Sequence, residues 1–186
     1  VAILEASGDA SNARFTILGN ALLSQIDIHQ EYGGVYPAVA KREHAKNLVP
    51  LLAQALTQAR LHTPATGALE ERMVSEIGTI LERESELGKA LLAFAKEYGR
   101  PPLDAIAVTY GPGLPPALWV GVNFANALAR LWNIPIVPIN HMEGHFLSAL
   151  ARRENAEIVL KDLKLPILSL LICGGHTELV LMRSLL

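Results

Sequence analysis

Apolar residues follow two rhythms along this chain. Short apolar runs occupy 1–5, 15–18, 21–28, 104–109, 134–139, 167–173 and 178–182. Gly, Pro, Asn or Asp borders most of them, so each reads as a strand. Gly19-Asn20 separates the second run from the third and predicts a tight hairpin turn there. Elsewhere the apolar spacing lengthens. Over 39–61, Leu48, Leu51, Leu52, Ala55, Leu56 and Ala59 fall on one helical face. Residues 69–98, rich in Glu, Arg, Leu and Ala, predict one long helix or two shorter ones, with Gly78 and Gly88 as weak points. Further helices are predicted at 116–132 and from 141 to about 154, and a charged connector at 155–164. Three early strands followed by alternating helices and strands make an α/β domain with a mixed sheet. The last two apolar runs form a hairpin that opens a second domain.

Composition narrows the picture. With 51% hydrophobic and 18% charged residues and a net charge of -2, the chain has material for a core. Disordered chains have the opposite balance. A length of 186 residues corresponds to one or two domains. One cysteine, Cys173, excludes a disulfide framework. The near-balanced charge excludes nucleic-acid binding driven by overall charge. Any such partner must meet a local patch, further sequence or another subunit. The uncharged stretch 105–129 is long enough to span a bilayer. Gly111, Pro112, Gly113, Pro115 and Pro116 cut it instead into strand, loop and helix, so no membrane partner is expected. The chain opens at Val1 inside an apolar run and stops just after another, so both ends read as cut.

Four constellations could carry chemistry. Asn140-x-x-Glu143 follows an apolar strand in the form of a capping box, so a helix begins there. On that helix His141 and His145 are four apart and share a face, where both imidazoles can reach one metal ion. Read without a metal, they are two partly buried histidines. Cys173-Gly174-Gly175-His176 ends an apolar strand; its glycine amides suit a phosphate, although taken alone an ordinary hairpin turn is the better reading. Cys173 reads as a nucleophile or as a buried, inert thiol. Glu5, Ser7, Asp9 and Ser11 after the first strand can orient a metal-bound phosphate or form a self-bonded turn. Gly111 and Gly113 open the helix carrying Trp119, Gly121 and Asn123, which suits a ligand at a helix N-terminus or simply tight packing.

In this order the segments resemble the tRNA threonylcarbamoyladenosine synthesis family, TsaD in bacteria, once labelled an O-sialoglycoprotein endopeptidase. Leu4-Glu5-Ala6-Ser7-Gly8-Asp9-Ala10-Ser11 is similar to the family's I-E-T-S-C-D-D/E-T, without its Cys and second acid. Gly33-Gly34-Val35-Tyr36-Pro37-Ala38-Val39-Ala40-Lys41-Arg42-Glu43-His44 is close to G-G-V-x-P-x-x-A-x-R-x-H. Thr109 to Leu114 with Leu118-Trp119-Val120-Gly121, the His141 and His145 pair, and Gly174-Gly175-His176-Thr177 complete five ordered blocks.

The resemblance implies an actin, sugar-kinase and Hsp70-like lobe over 1–154, with a helical insertion at about 39–98. A connector at 155–165 and the first hairpin of a truncated second lobe at 166–186 would follow. It implies transfer of a threonylcarbamoyl group from threonylcarbamoyl-AMP to N6 of adenosine 37 in tRNAs reading codons that start with A. The fragment alone would be inactive. His141 and His145 would hold one divalent metal ion, iron or zinc, with an Asp beyond Leu186 as third ligand. Leu171, Ile172, Cys173, Gly174 and Gly175 would contact substrate, Cys173 standing where the family usually has Ser. Asp9 is the candidate catalytic carboxylate. Expected partners are tRNA, a paralogous TsaB-like subunit meeting the helices between 39 and 98, and other proteins of the modification complex. The glycine-rich block looks bacterial, hence cytoplasmic, with a mitochondrial setting as the alternative. A metallopeptidase is the rival enzyme, but Glu143 lies off the face shared by the histidines, unlike HExxH or HxxEH helices. A non-catalytic scaffold paralogue is the other alternative, and such paralogues usually lack the pair.

Overall fold

The structure is a computed structural model describing residues 1–9, 12–30, 33–34, 36–161, 164–172 and 177–184. In chain order its elements are β1 (Ala2–Asp9), β2 (Asn12–Asn20), α1 (Ile26–Gln30), α2 (Pro37–Ala59), α3 (Glu71–Ile80), a 3-10 turn (Glu82–Glu84), α4 (Ser85–Glu97), β3 (Ile106–Gly111), α5 (Pro115–Trp132), β4 (Ile136–Asn140), α6 (His141–Leu150), β5 (Arg152–Glu154), β6 (Glu157–Lys161), β7 (Ile167–Ile172) and β8 (Thr177–Met182). They divide into two compact units: Val1–Ile3 with Leu18–His141, and Leu4–Ile17 with Met142–Leu186.

The first unit is built on α2 and α5. Both start with proline in the first turn, where the missing N–H costs no hydrogen bond. Both end on a left-handed residue, Arg60 (φ 57°) and Asn133 (φ 50°), whose amides return to carbonyls of the last turn. Of the apolar stripe read from the sequence, Leu52, Ala55 and Leu56 are buried and Leu48, Leu51 and Ala59 are partly so; with Val49, the buried ones meet Val120, Phe124, Ala127 and Leu128 of α5 in one cluster. Ile77 and Leu81 from α3 and its C-terminus, and Leu87, Leu91 and Phe94 of α4, join the same core. Each such side chain contributes about 1.5–3 kcal/mol by leaving water. Beside these helices β3 and β4 pair in parallel, Ile106 opposite Ile136 and Thr109 opposite Ile139.

Gly19 has a specific reason. A Cβ there would overlap the Ala55 carbonyl oxygen, so only glycine lets the end of β2 lie this close to α2. The Asn20 amide donates to Gln58 Oε1 at 2.6 Å across the same approach. This corrects the expected turn at Gly19-Asn20: β2 runs on to Asn20 and the glycine serves packing.

The second unit contains a four-stranded sheet in the order β1-β2-β6-β5 and the two-stranded β7–β8 sheet. β2 and β6 are antiparallel, Phe15 facing Ile158 and Thr16 facing Glu157, with Val159 buried. Arg14 bonds Glu157 at 2.8 Å on the sheet's half-exposed face, an ion pair worth at most about 1 kcal/mol.

The α/β class holds, with parallel and antiparallel pairs both present. Among the described residues they belong to three separate sheets rather than one mixed sheet. The expected third strand at 21–28 does not form; its second half is the short helix α1, and Leu22 and Ile26 are exposed. The helix from 141 stops at Leu150, and the segment read as a connector from 155 contains β6, paired with β5 and β2. No helix among the described residues is long and apolar enough to cross a membrane.

Candidate functional site

β4 ends at Asn140 and α6 begins at His141, where the capping-box spacing predicted a helix start. His141 and His145 are therefore the first and fifth residues of one helix, a spacing that puts them on the same face one turn apart. Glu143 lies between them in the first turn, where a carboxylate favours the helix dipole. Ser148 Oγ donates to the His145 carbonyl at 2.9 Å, so the backbone below the second histidine is engaged.

Asp9 is the last residue of β1, and its Oδ1 accepts the Asn12 amide at 3.1 Å. That bond is the turn chemistry weighed for this acid in the sequence. Gly8 precedes it at φ 91°, where a Cβ would run into the Asn12 carbonyl, so the bend requires glycine. Leu171 and Ile172 close β7, opposite Glu178 and Thr177 of β8. Cys173, Gly174 and Gly175 lie outside the described residues.

The described residues thus put the two histidines on one helix and the two apolar substrate candidates on one strand. Among them no group of three or more His, Cys, Asp or Glu side chains gathers as a metal site. Two imidazoles suit a borderline divalent ion such as zinc or iron, and supply half of a tetrahedral set. The donor chemistry fits the metal implied by the resemblance, with further ligands still required.

Two features were not anticipated. Glu84, in the 3-10 turn, is the buried charged residue among those described. Its Oε1 lies 3.0 Å from Lys41 Nζ on α2, and its Oε2 accepts a long bond, 3.4 Å, from Asn123 Nδ2 on α5. Glu76 on α3 is held by Arg130 and by Arg72, and these guanidiniums take its carboxyl from the usual 4.5 to about 2. In the sequence both acids sit in a helical stretch rich in Glu, Arg, Leu and Ala. No local signal separates a partnered Glu from a solvated one there.

A family model described as TsaD, tRNA N6-adenosine threonylcarbamoyltransferase, matches residues 16–67 and 86–186. The chain belongs to the TsaD family. Curated relatives carry the same description. The protein of Thermomicrobium roseum is 36% identical over 168 residues, covering 90% of this chain and 36% of the relative. Those of Fusobacterium nucleatum and Burkholderia ambifaria are 35% and 37% identical over 164 residues, covering 88% of this chain and 35% of each relative. The chain thus spans little more than a third of the TsaD relatives it matches. Residues 68–85, which include all of α3 and the 3-10 turn with Glu84, fall between the two matched TsaD segments.

Proposed function

We propose that the full-length protein transfers a threonylcarbamoyl group from threonylcarbamoyl-AMP to N6 of adenosine 37 of tRNAs reading codons that start with A. Family membership supports the reaction class, and the placement of His141 and His145 one turn apart at the head of α6 is the observation that carries the site. His141 and His145 would hold a divalent iron or zinc ion, with an Asp from beyond Leu186 as a further ligand. Such an ion, when bound, supplies Lewis acidity toward the carbamoyl carbonyl.

The remaining roles belong to the chain's own groups. Leu171 and Ile172 end β7 and would line the substrate's path, while the amides of Cys173, Gly174 and Gly175 would bind the phosphate of the leaving nucleotide. Asp9, whose Oδ1 closes the β1–β2 bend, is the candidate proton acceptor in this scheme. A TsaB-like subunit and other proteins of the modification complex would share tRNA binding, consistent with a net charge of only -2 on this chain.

The test is replacement of both His141 and His145 by Ala in the full-length protein. Modified adenosine in total tRNA is then measured by mass spectrometry in cells that depend on this protein. Loss of the modification with unchanged protein level is the expected result. Wild-type levels of modification would reject the metal-assisted transferase and favour a scaffold role.

A further inference from the structure

We propose that the unmatched segment 68–85 is an intramolecular clasp, and that Glu84 is the positioning residue through which it holds the N-terminal halves of α2 and α5 in register. The clasp stands on geometry alone; only its consequence for turnover rests on the transferase reading above.

The segment lies outside both matched stretches, yet it is tied into the core. Ile77 and Leu81 are almost completely enclosed in the cluster that α2, α4 and α5 build. Two ionic anchors then fix it laterally, at different heights on α5. Glu76 engages Arg130 near the C-terminal end of α5, and Glu84 engages Asn123 nearer its start. Glu84 also reaches Lys41, in the first half of α2.

Packed apolar side chains resist displacement through lost contact, and a carboxylate removed from water adds a position-specific penalty, because displacement leaves it unpaired in a low-dielectric setting. Only 4% of the Glu84 side chain remains exposed. The turn, Lys41 and Asn123 must therefore keep their mutual positions. Each of the two helices follows a glycine-bearing family block in sequence, Gly33-Gly34 ahead of Pro37 and Gly113 ahead of Pro115. Beside the clasp is a cavity of about 520 Å³ lined by Lys41, Glu84, Pro115, Pro116, Trp119 and Asn123, so the same contact shapes the surface between these helix starts.

The experiment uses the full-length protein with Glu84→Gln, Lys41→Met, the double variant, and the reversed pair K41E/E84K. The first readout is amide exchange of peptides covering 37–44 and 115–123. The second is kcat and KM for tRNA modification. E84Q is expected to speed exchange in both peptides by about tenfold, the loss of one charge-assisted contact. K41M does the same to a greater degree, because it leaves the enclosed carboxylate without its cation, and the double variant is milder than K41M. The reversed pair recovers most of the protection, because the Asn123 amide can turn its oxygen toward Lys. On turnover, kcat falls with KM unchanged, since the loops are mispositioned rather than removed. Unchanged exchange in both peptides, or a reversed pair no better than the single variants, overturns the clasp. Should K41M fail to fold, E84Q, which leaves only a partly exposed ammonium unpaired, and the reversed pair decide the question. If the wild-type protein does not modify tRNA, the transferase reading fails while the exchange arm still judges the clasp.

Discussion

In the helical unit Ile77, Leu91 and Val120 are wholly enclosed, whereas in the β7–β8 hairpin Leu168, Leu170, Ile172 and Leu179 are each more than half exposed. The hairpin's register sets Leu168 opposite Leu181 and Leu170 opposite Leu179, so these side chains form one continuous apolar face. Its other face carries Ile167, Leu171, Val180 and Met182 together with the polar Ser169 and Glu178. An apolar sheet face is suited to being covered, and a lone two-stranded hairpin is marginal in water. The difference teaches where stability resides. The helical unit closes its own core, while the hairpin keeps an apolar surface that contributes nothing to folding among the described residues.

The contrast can be tested first at its strongest point. Leu91→Ala should lower the stability of the chain by about 2–5 kcal/mol, read from urea unfolding followed by circular dichroism. A loss under about 1 kcal/mol would mean the helical core is not the main source of stability. Next comes Gly19→Val, which pushes a side chain into the backbone of α2. A loss of about 1–3 kcal/mol is expected, since the strand must move away from the helix. A neutral result would place β2 further from α2 than the structure does.

The third test is by pH. The Glu76 carboxyl titrates near 2 in the folded chain, below its ordinary 4.5, through Arg130 and Arg72. A depressed carboxylate stabilises the fold above its ordinary value, and that contribution is lost as pH falls from about 4.5 toward 2. E76Q should therefore flatten the acid limb of the stability curve in this window while matching the wild-type slope above pH 5. Parallel curves throughout would rule out the ion-paired geometry. The smallest effect is expected at the hairpin. Leu170→Ser should change unfolding free energy by no more than about 0.5 kcal/mol, while reducing binding of a hydrophobic dye. A loss near that of Leu91→Ala would erase the distinction between the two regions.

Much of the helical unit was legible because one stripe, Leu48 to Ala59, carries enough periodic positions to specify both a helix and its buried face. The run 21–28 misled for the opposite reason. Leu22, Leu23, Ile26 and Ile28 have strand-like composition, yet a strand exists only where a partner completes its ladder, and local pattern holds no record of partners. β5 and β6 were hidden by their charges. Arg152 and Arg153 read as the end of the helix from 141 and Glu157 as connector, while the partner of Glu157 across the sheet, Arg14, lies 143 positions away. At the candidate site the spacing of His141 and His145 placed both on one helix, because four residues are one turn. The Glu84 contacts could not be read, since both partners come from distant elements.

One junction has a further meaning. Strand β4 passes into α6 without an intervening residue, and the two imidazoles are counted out along the first turn. At about 100° per residue, a spacing of four leaves the rings about 40° apart around the axis, and a spacing of five would swing them about 140° apart. A substitution within 142–144 that keeps the helix preserves this spacing, whereas one residue added among them would send the rings to opposite sides. The stretch is strict in length.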